Sequence, residues 1–525
     1  MLTFTVHDLL AKNIPANAGR VAVISKGKAV TYGELAQRVE TTAAWLHAAG
    51  VSRGDRVGIH LPKSVEEIVA TFAVARIGAV FVNINYSWTA AQLEFIVKDS
   101  GAKVLFTDAR RAKAIAPLPV VAELKNVIVE GEAPAAANMV SWHSFEAKEC
   151  PIPVPAIDSD LAGLLYTSGS TGKPKGVMFS HSNIILGARI VAKYLRNTAE
   201  DRILSLLPLS FDYGLNQITT MFLVGGSVVL QPVSLPAEIV KTVATNDVTG
   251  VALVAPSWVQ VVRYLEEVPT KFPKLRYVTN SGGKIPLGAL EKMPALFPGV
   301  EIFLMYGLTE AFRSTYLPPH LFKTKMGSIG RAIPNTEIFV VDPEKGICGP
   351  GGQGELVHRG GLISGGYWNN PAATEEKIKV NKHLRPLIGD EKVVHSGDIV
   401  RVDEDGYLWF VSRMDTMIKC SGYRLSPTEV EEIVSGHEHV IENVAFGVDD
   451  DELGQVVHIA VGVAEGNGFK LEDLQHFCVK KMPSYMVPKK IHTFIGNMPR
   501  TSSGKIDRPT VIKQCLEKLA SAATK

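Results

Sequence analysis

Leu164-Leu-Tyr-Thr-Ser-Gly-Ser-Thr-Gly-Lys-Pro-Lys-Gly-Val177 runs from a short apolar strand into a loop with three glycines, Gly169, Gly172 and Gly176. Glycine lets the backbone bend sharply and come close to a bound group. Four hydroxyls (Thr167, Ser168, Ser170, Thr171) offer donors to phosphate oxygens, and Lys173 and Lys175 add positive charge. Successive backbone N–H groups in such a turn form an anion-binding nest. A flexible glycine–serine surface loop would account for neither the preceding strand nor the paired lysines. The Walker A pattern does not fit, because it wants Gly where Thr167 stands and Ser or Thr where Pro174 follows Lys173. The loop is a phosphate cradle of another kind.

Working outward, helical and strand patterns alternate, which predicts layered α/β structure. Thr31 stands three residues before Glu34, a capping-box signature for a helix running to about Gly50. Arg56–Leu61 reads as a buried strand, Ser64–Ile77 as a helix, and Ala79–Val82 and Val104–Thr107 as further strands. The rhythm recurs at Leu204–Leu207, Ser227–Leu230, Gly250–Val254, Tyr277–Thr279 and Glu301–Leu304. Residues 132–160, rich in Ala and Pro, read as a surface connection. After about Thr315 the pattern changes to short strands and turns, with Cys348–Gly354 as a turn. A second change comes near Arg413–Met414, where Ser426-Pro427 opens a new helix.

The bulk composition agrees. With 525 residues, two to four units are expected at about 100–200 residues per domain. Lys plus Arg is 55 against 53 for Asp plus Glu, so a nucleic-acid partner is not expected. The five cysteines are scattered and form no CxxC pair, which speaks against a disulfide framework or zinc site and for a reducing compartment. No signal peptide is expected at the N-terminus, and Ile68–Val82, broken by Arg76 and Gly78, is too short to span a bilayer. The expected location is the cytoplasm, with no integral membrane segment.

The segment YTSGSTGKPKG resembles the signature loop of the AMP-forming adenylating superfamily, which includes acyl-CoA synthetases, amino-acid adenylation domains of peptide synthetases and firefly-type luciferases. The family's other motifs follow in order over nearly the whole chain. The resemblance implies a large N-terminal AMP-binding domain, residues 1–413, made of layered α/β subdomains plus a small β-rich one. A small mobile α+β lid domain, residues 414–525, follows. It assigns nucleotide binding to Thr167, Ser168, Gly169, Ser170, Thr171, Gly172 and Lys173 of the loop. Ser281-Gly282-Gly283 resembles the adenine wall, and Tyr306-Gly307-Leu-Thr309-Glu310 the motif that stacks on adenine (Tyr306), contacts phosphate (Thr309) and holds Mg²⁺ (Glu310). Asp398 would bind both ribose hydroxyls and Arg413 the nucleotide; Ser412 stands where the family usually has Gly. Asp415 would be the hinge, and Gly422 would line the thiol tunnel after rotation. Lys505, in Arg500-Thr-Ser-Ser-Gly-Lys, would be the catalytic lysine, with Thr171 and Glu310 as its catalytic companions.

The implied chemistry is a MgATP-dependent adenylation of a carboxylic acid, then thioester formation on the phosphopantetheine of CoA or of a carrier protein. In the pocket motif, Phe211-Asp212 resembles the pair by which amino-acid adenylating enzymes hold a substrate ammonium group. Arg313 is expected to face the acyl pocket, where it would pair either with Asp212 or with a second carboxylate; Tyr213, Asn216, Ser257 and Ser314 are further pocket candidates. The two pocket segments also resemble stand-alone acyl ligases associated with exosortase gene clusters. The expected substrate is a small polar or amino acid. The alternatives are a medium- or long-chain acyl-CoA ligase and a non-catalytic nucleotide-binding regulator.

Overall fold

The computed structural model describes residues 2–146, 156–167, 174–420, 423–450, 454–466, 468–484, 486–501 and 504–523. Two largely parallel sheets dominate it. One has seven strands in the order 139–141, 126–130, 104–108, 56–60, 80–83, 161–167, 175–180. The other has nine, in the order 331–332, 315–317, 301–306, 277–280, 250–253, 202–205, 227–230, 21–25, 28–31. Their central strands are buried on both faces, as Val80–Asn83 and Gly250–Leu253 illustrate, which is why they read as continuous apolar runs rather than alternations.

Helices Tyr32–Ala48, Val65–Arg76, His181–Leu195 and Asp212–Val224 lie between the sheets, and one core joins Phe81 and Phe106 of the first to Val228 and Phe303 of the second. The first helix starts as expected: the Thr31 side chain accepts from the Glu34 N–H and Glu34 answers on the Thr31 N–H. Such a cap contributes about 1 kcal/mol.

The change of pattern after Thr315 is a six-stranded antiparallel sheet built around Gln353–Gly360 and Lys392–Val402. The second change is a five-stranded sheet between Ile418 and Ile495, covered by helices Pro427–Ser435, Leu471–Lys481 and Arg508–Ala523. The molecule thus has a large N-terminal and a small C-terminal domain. Among the described residues no helix is long and apolar enough to cross a membrane.

One expectation needs correcting. Within residues 132–160, positions 139–145 are more than a surface connection. Met139–Ser141 adds an edge strand to the seven-stranded sheet, Trp142 packs on Phe106 with centroids 4.7 Å apart, and Phe145 stacks on Trp45 at 4.1 Å. Two aromatics in a Pro/Ala-rich stretch outweigh its loop-like composition, because burying each removes a large apolar area from water.

Candidate active site

A cleft of about 1090 Å³ opens between the two domains, and the C-terminal ends of the parallel strands supply much of its wall. Its lining includes Thr167, Phe211, Asp212, Gly282, Gly283, Tyr306, Gly307, Thr309, Glu310, Arg313, Asp398, Arg413 and Lys505. The sequence candidates on distant segments therefore meet in one place. Ser168–Lys173 and Gly422 lie outside the described residues, as does the side chain of Asp415.

At one end of the cleft, Asp398 and Arg413 are direct cross-strand partners, with Arg413 Nη1 3.8 Å from Asp398 Oδ1. The Tyr306 hydroxyl donates to Asp398 Oδ2 at 2.5 Å. Burial, and then the adjoining Asp398 charge, push the Tyr306 phenol well above its ordinary range, so it stays a donor. The Tyr367 hydroxyl donates to Glu310 Oε1, and Lys175 Nζ sits 5.2 Å from the Tyr367 ring centroid. Glu355 accepts from the Gly397 N–H at 2.9 Å and meets His395 Nδ1 at 2.8 Å. Neither Tyr367 nor this Glu355–His395 pair was legible in the sequence. The only local hint for Tyr367 is its place in Gly365-Gly366-Tyr367-Trp368, an aromatic pair after a glycine pair.

Lys505 enters from the C-terminal domain. A tight turn, closed by Thr501 N–H to Lys505 O (2.7 Å) and Gly504 N–H to Thr501 O (2.9 Å), presents it. Gly504 takes φ +83° there, which favours glycine. The Lys505 side chain lies over Phe211, Nζ 5.3 Å from the ring centroid, and along Gly282: a Cβ on Gly282 would stand 2.7 Å from Lys505 Cε. Glycine at 282 thus makes room for the lysine. Desolvation lowers the Lys505 pKa, and the facing Asp212 and Asp398 charges oppose that. At the cleft wall Lys284 pairs with Glu432, and outside it the Arg263 guanidinium donates to Val440 O at 3.1 Å, joining the two domains in this arrangement.

The other end of the cleft is different. Asp212 is the first residue of its helix and buried; burial raises its pKa against the lowering effect of Arg313 and Lys505. Among the described residues it has no ion-pair partner. Arg313 is 1% exposed, and its Nη1 donates to Ser281 Oγ at 2.7 Å. Its Cζ lies 4.8 Å from the centroid of the Tyr213 ring, and Tyr213 is in turn fixed by its hydroxyl contact with Thr279.

Phe312 turns Arg313 into the cleft. It has φ +57° and ψ −57°, and Arg313 N–H reaches back to Ala311 O at 2.6 Å. A non-glycine residue there carries strain of roughly 1–3 kcal/mol and persists only where packing enforces it. The enforcing contact is Gly187, where a Cβ would stand 2.3 Å from the Phe312 ring.

The remaining pocket candidates do not line the cleft. Tyr213 stands behind Arg313, Ser314 is buried with its Oγ 3.0 Å from His358 Nδ1, and Ser257 is half-buried on helix Ala255–Glu267. Tyr213 and Asn216 line a separate cavity of about 20 Å³.

The geometry fits a nucleotide and its metal. Glu310 is a hard carboxylate on the same short turn as Thr309, and the cleft is large enough for a nucleotide. Among the described residues no cluster of three metal-ligating side chains exists. Mg²⁺ is commonly held by one or two carboxylates with phosphate oxygens and water, and Glu310 is a carboxylate of that kind.

Residues 10–368 match the family described as AMP-binding enzyme, and residues 429–505 match the AMP-binding enzyme C-terminal domain. The chain is 28% identical over 530 residues to a probable CoA ligase, CCL9, of Humulus lupulus, covering 99% of this chain and 98% of that protein. It is 27% identical over 511 residues to tyrocidine synthase 1 of Brevibacillus parabrevis, covering 96% of this chain and 44% of that longer protein. The crystal structure of the anthranilate CoA ligase AuaEII in complex with anthranoyl-AMP superposes with a TM-score of 0.88 at 23% identity, over 99% of each chain.

Proposed function

Since this chain belongs to the AMP-binding enzyme family, whose members here are AMP-forming acid–CoA ligases and related adenylating enzymes, we propose that it activates an amino acid and passes it to a phosphopantetheine thiol. The observation that carries the substrate class is the buried, ion-pair-free Asp212 carboxylate in the wall of the cleft. A buried carboxylate is costly unless a cation meets it, and a substrate ammonium group supplies one. A long apolar acid would leave that charge stranded.

Each residue has a role in this scheme. The domain boundary falls at Arg413–Met414, with Asp415 as hinge. Asp398 offers two acceptor oxygens to the two ribose hydroxyls. Glu310 would hold Mg²⁺, which supplies charge neutralisation along the phosphates when bound. Thr309 and the loop around Thr167 would bind phosphate oxygens. Lys505 reaches into the cleft where the acid's carboxylate attacks the α-phosphorus, and it stabilises the negative charge that gathers as pyrophosphate leaves. Asp212 holds the ammonium group and so orients the carboxylate toward Lys505. No side-chain nucleophile is required; positioning and electrostatics do the catalysis. For the second half-reaction the C-terminal domain rotates, Lys505 withdraws, and a thiol attacks the activated carbonyl carbon and expels AMP.

The likeness to a CoA ligase supports CoA as acceptor, and the likeness to tyrocidine synthase 1 supports a carrier protein. ATP–pyrophosphate exchange with a panel of amino acids and fatty acids, followed by transfer assays with CoA and with carrier proteins, tests the scheme. Exchange driven by amino acids is expected. Exchange driven by fatty acids alone would refute the role given to Asp212.

A further inference from the structure

Arg313 has more hydrogen-bonding capacity than its surroundings use. A guanidinium has five N–H donors in a rigid plane. Nη1 is committed to Ser281 Oγ, whereas Nε and Nη2 have no hydrogen-bond partner although they are buried. Nε and Nη2 share one edge of the plane, the side-on fork that binds a carboxylate through two parallel N–H···O bonds. No carboxylate among the described residues lies within ion-pair reach of it. The Tyr194 hydroxyl donates to Met305 Sδ at 3.0 Å and turns its oxygen toward the guanidinium, a neutral neighbour that leaves the Arg313 charge unanswered.

The fork cannot easily swing to Asp212. The Tyr213 ring lies against the guanidinium, Ser281 holds Nη1, and the strained turn at Phe312 fixes the backbone. Asp212 is fixed as the first residue of its helix. Two opposite charges are thus held apart in one cleft wall, with the Lys505 cation facing them. A buried charge left this way costs several kcal/mol unless a ligand meets it.

Resting on the amino-acid scheme above, we infer that the substrate is an α-amino dicarboxylic acid, whose second carboxylate is received by the Nε–Nη2 edge of Arg313. The charge pattern then closes: ammonium on Asp212, reacting carboxylate toward Lys505, second carboxylate on Arg313. Arg313 is in this account a binding residue that sets specificity, one that acid–base chemistry does not need.

The test is ATP–pyrophosphate exchange with the full-length protein and MgATP. The acids compared are aspartate and glutamate, their amides asparagine and glutamine, neutral amino acids, the amine-free diacids succinate and glutarate, and fatty acids. A site built to bond a group rejects analogues lacking it by large factors. An amino dicarboxylate is therefore expected to exceed its own amide by about 100-fold or more, and Arg313→Gln to collapse that ratio toward one. Neutral amino acids or the amides working as well as the diacids would overturn the inference and leave the amino-acid scheme standing. Preference for amine-free diacids would sink the amino-acid scheme and this inference with it, as would fatty acids alone. If Arg313→Gln does not fold, as checked by circular dichroism, the wild-type ratio of each diacid to its amide decides by itself.

Discussion

At the nucleotide end of the cleft the polar groups are already engaged with one another. Tyr306 donates to Asp398, Arg413 stands across the strand from it, Tyr367 donates to Glu310, and Glu355 takes both His395 and the Gly397 N–H. At the acyl end, Asp212 has no ion-pair partner and the Nε–Nη2 edge of Arg313 no hydrogen-bond partner among the described residues. The difference separates two tasks. A nucleotide end common to every acid can be organised before anything binds, since its ligand is always the same. An acyl end that must discriminate holds its charges unanswered, so that only a substrate of matching charge satisfies them.

The comparison can be broken most forcefully at Lys505, which serves both ends. Lys505→Ala should lower adenylation by about 10²–10³-fold, the cost of removing one preorganised donor to developing charge, while nucleotide binding by calorimetry changes little. Equal loss of nucleotide binding would instead give Lys505 a structural role.

Asp212→Asn should come next, costing about 100-fold in kcat/KM for amino acids without altering ATP affinity, on the scale of truncating one partner of a buried charge pair. The same residue sets a pH dependence. Because burial raises its pKa, kcat/KM should fall as pH drops toward that raised value, where protonated Asp212 no longer binds ammonium, and Asp212→Asn should flatten this limb. Stability runs the other way. The folded state holds the proton more tightly than the unfolded one, so this group's contribution is present below the ordinary carboxylate range and lost as pH rises through the raised pKa. Thermal scans at neutral pH should therefore find Asp212→Asn as stable as the parent or more so; a clear drop in Tm would mean that Asp212 is paired within the protein.

A smaller effect is expected at Gly187, which touches neither end directly. Gly187→Ala should push on Phe312, disturb the turn that aims Arg313, and destabilise by about 1–3 kcal/mol, the usual range for overpacking a core. Acid selectivity should weaken more than ATP affinity. If both change equally, the Phe312 turn does not serve the acyl end in particular.

The smallest effect belongs to the exposed Lys284–Glu432 pair. Lys284→Ala should shift the balance between adenylation and thiol transfer by no more than several-fold, since such pairs contribute about 0–1 kcal/mol. Comparing the two half-reaction rates, with added salt as a control, measures it.

The contrast between the two ends also explains what could be read from the sequence. The proposed nucleotide end is legible because phosphate, ribose and metal would demand fixed residue types at short spacing. Gly282, Tyr306, Thr309, Glu310, Asp398 and Lys505 accordingly meet in one cleft. The β-α-β rhythm was legible for the same local reason, down to the Thr31–Glu34 cap. The acyl end depends on long-range packing that no spacing encodes. Arg313 is set by Gly187, 126 positions earlier, and by Ser281 and Tyr213 on other elements. Tyr367 reaches Glu310 because the strand at Val177 bridges to it across the sheet edge. Tyr213, Asn216, Ser257 and Ser314 were drawn toward the pocket by their nearness in sequence to pocket residues, yet helix phase and burial place them off its lining.

The most direct measurement is the gain in ATP–pyrophosphate exchange contributed by an α-amine alone, taken as the ratio of aspartate to succinate and of alanine to propionate. The site predicts a gain of about 100-fold in the wild-type protein for at least the preferred pair, and loss of that gain in Asp212→Asn. Equal exchange with and without the amine in the wild-type protein would contradict it.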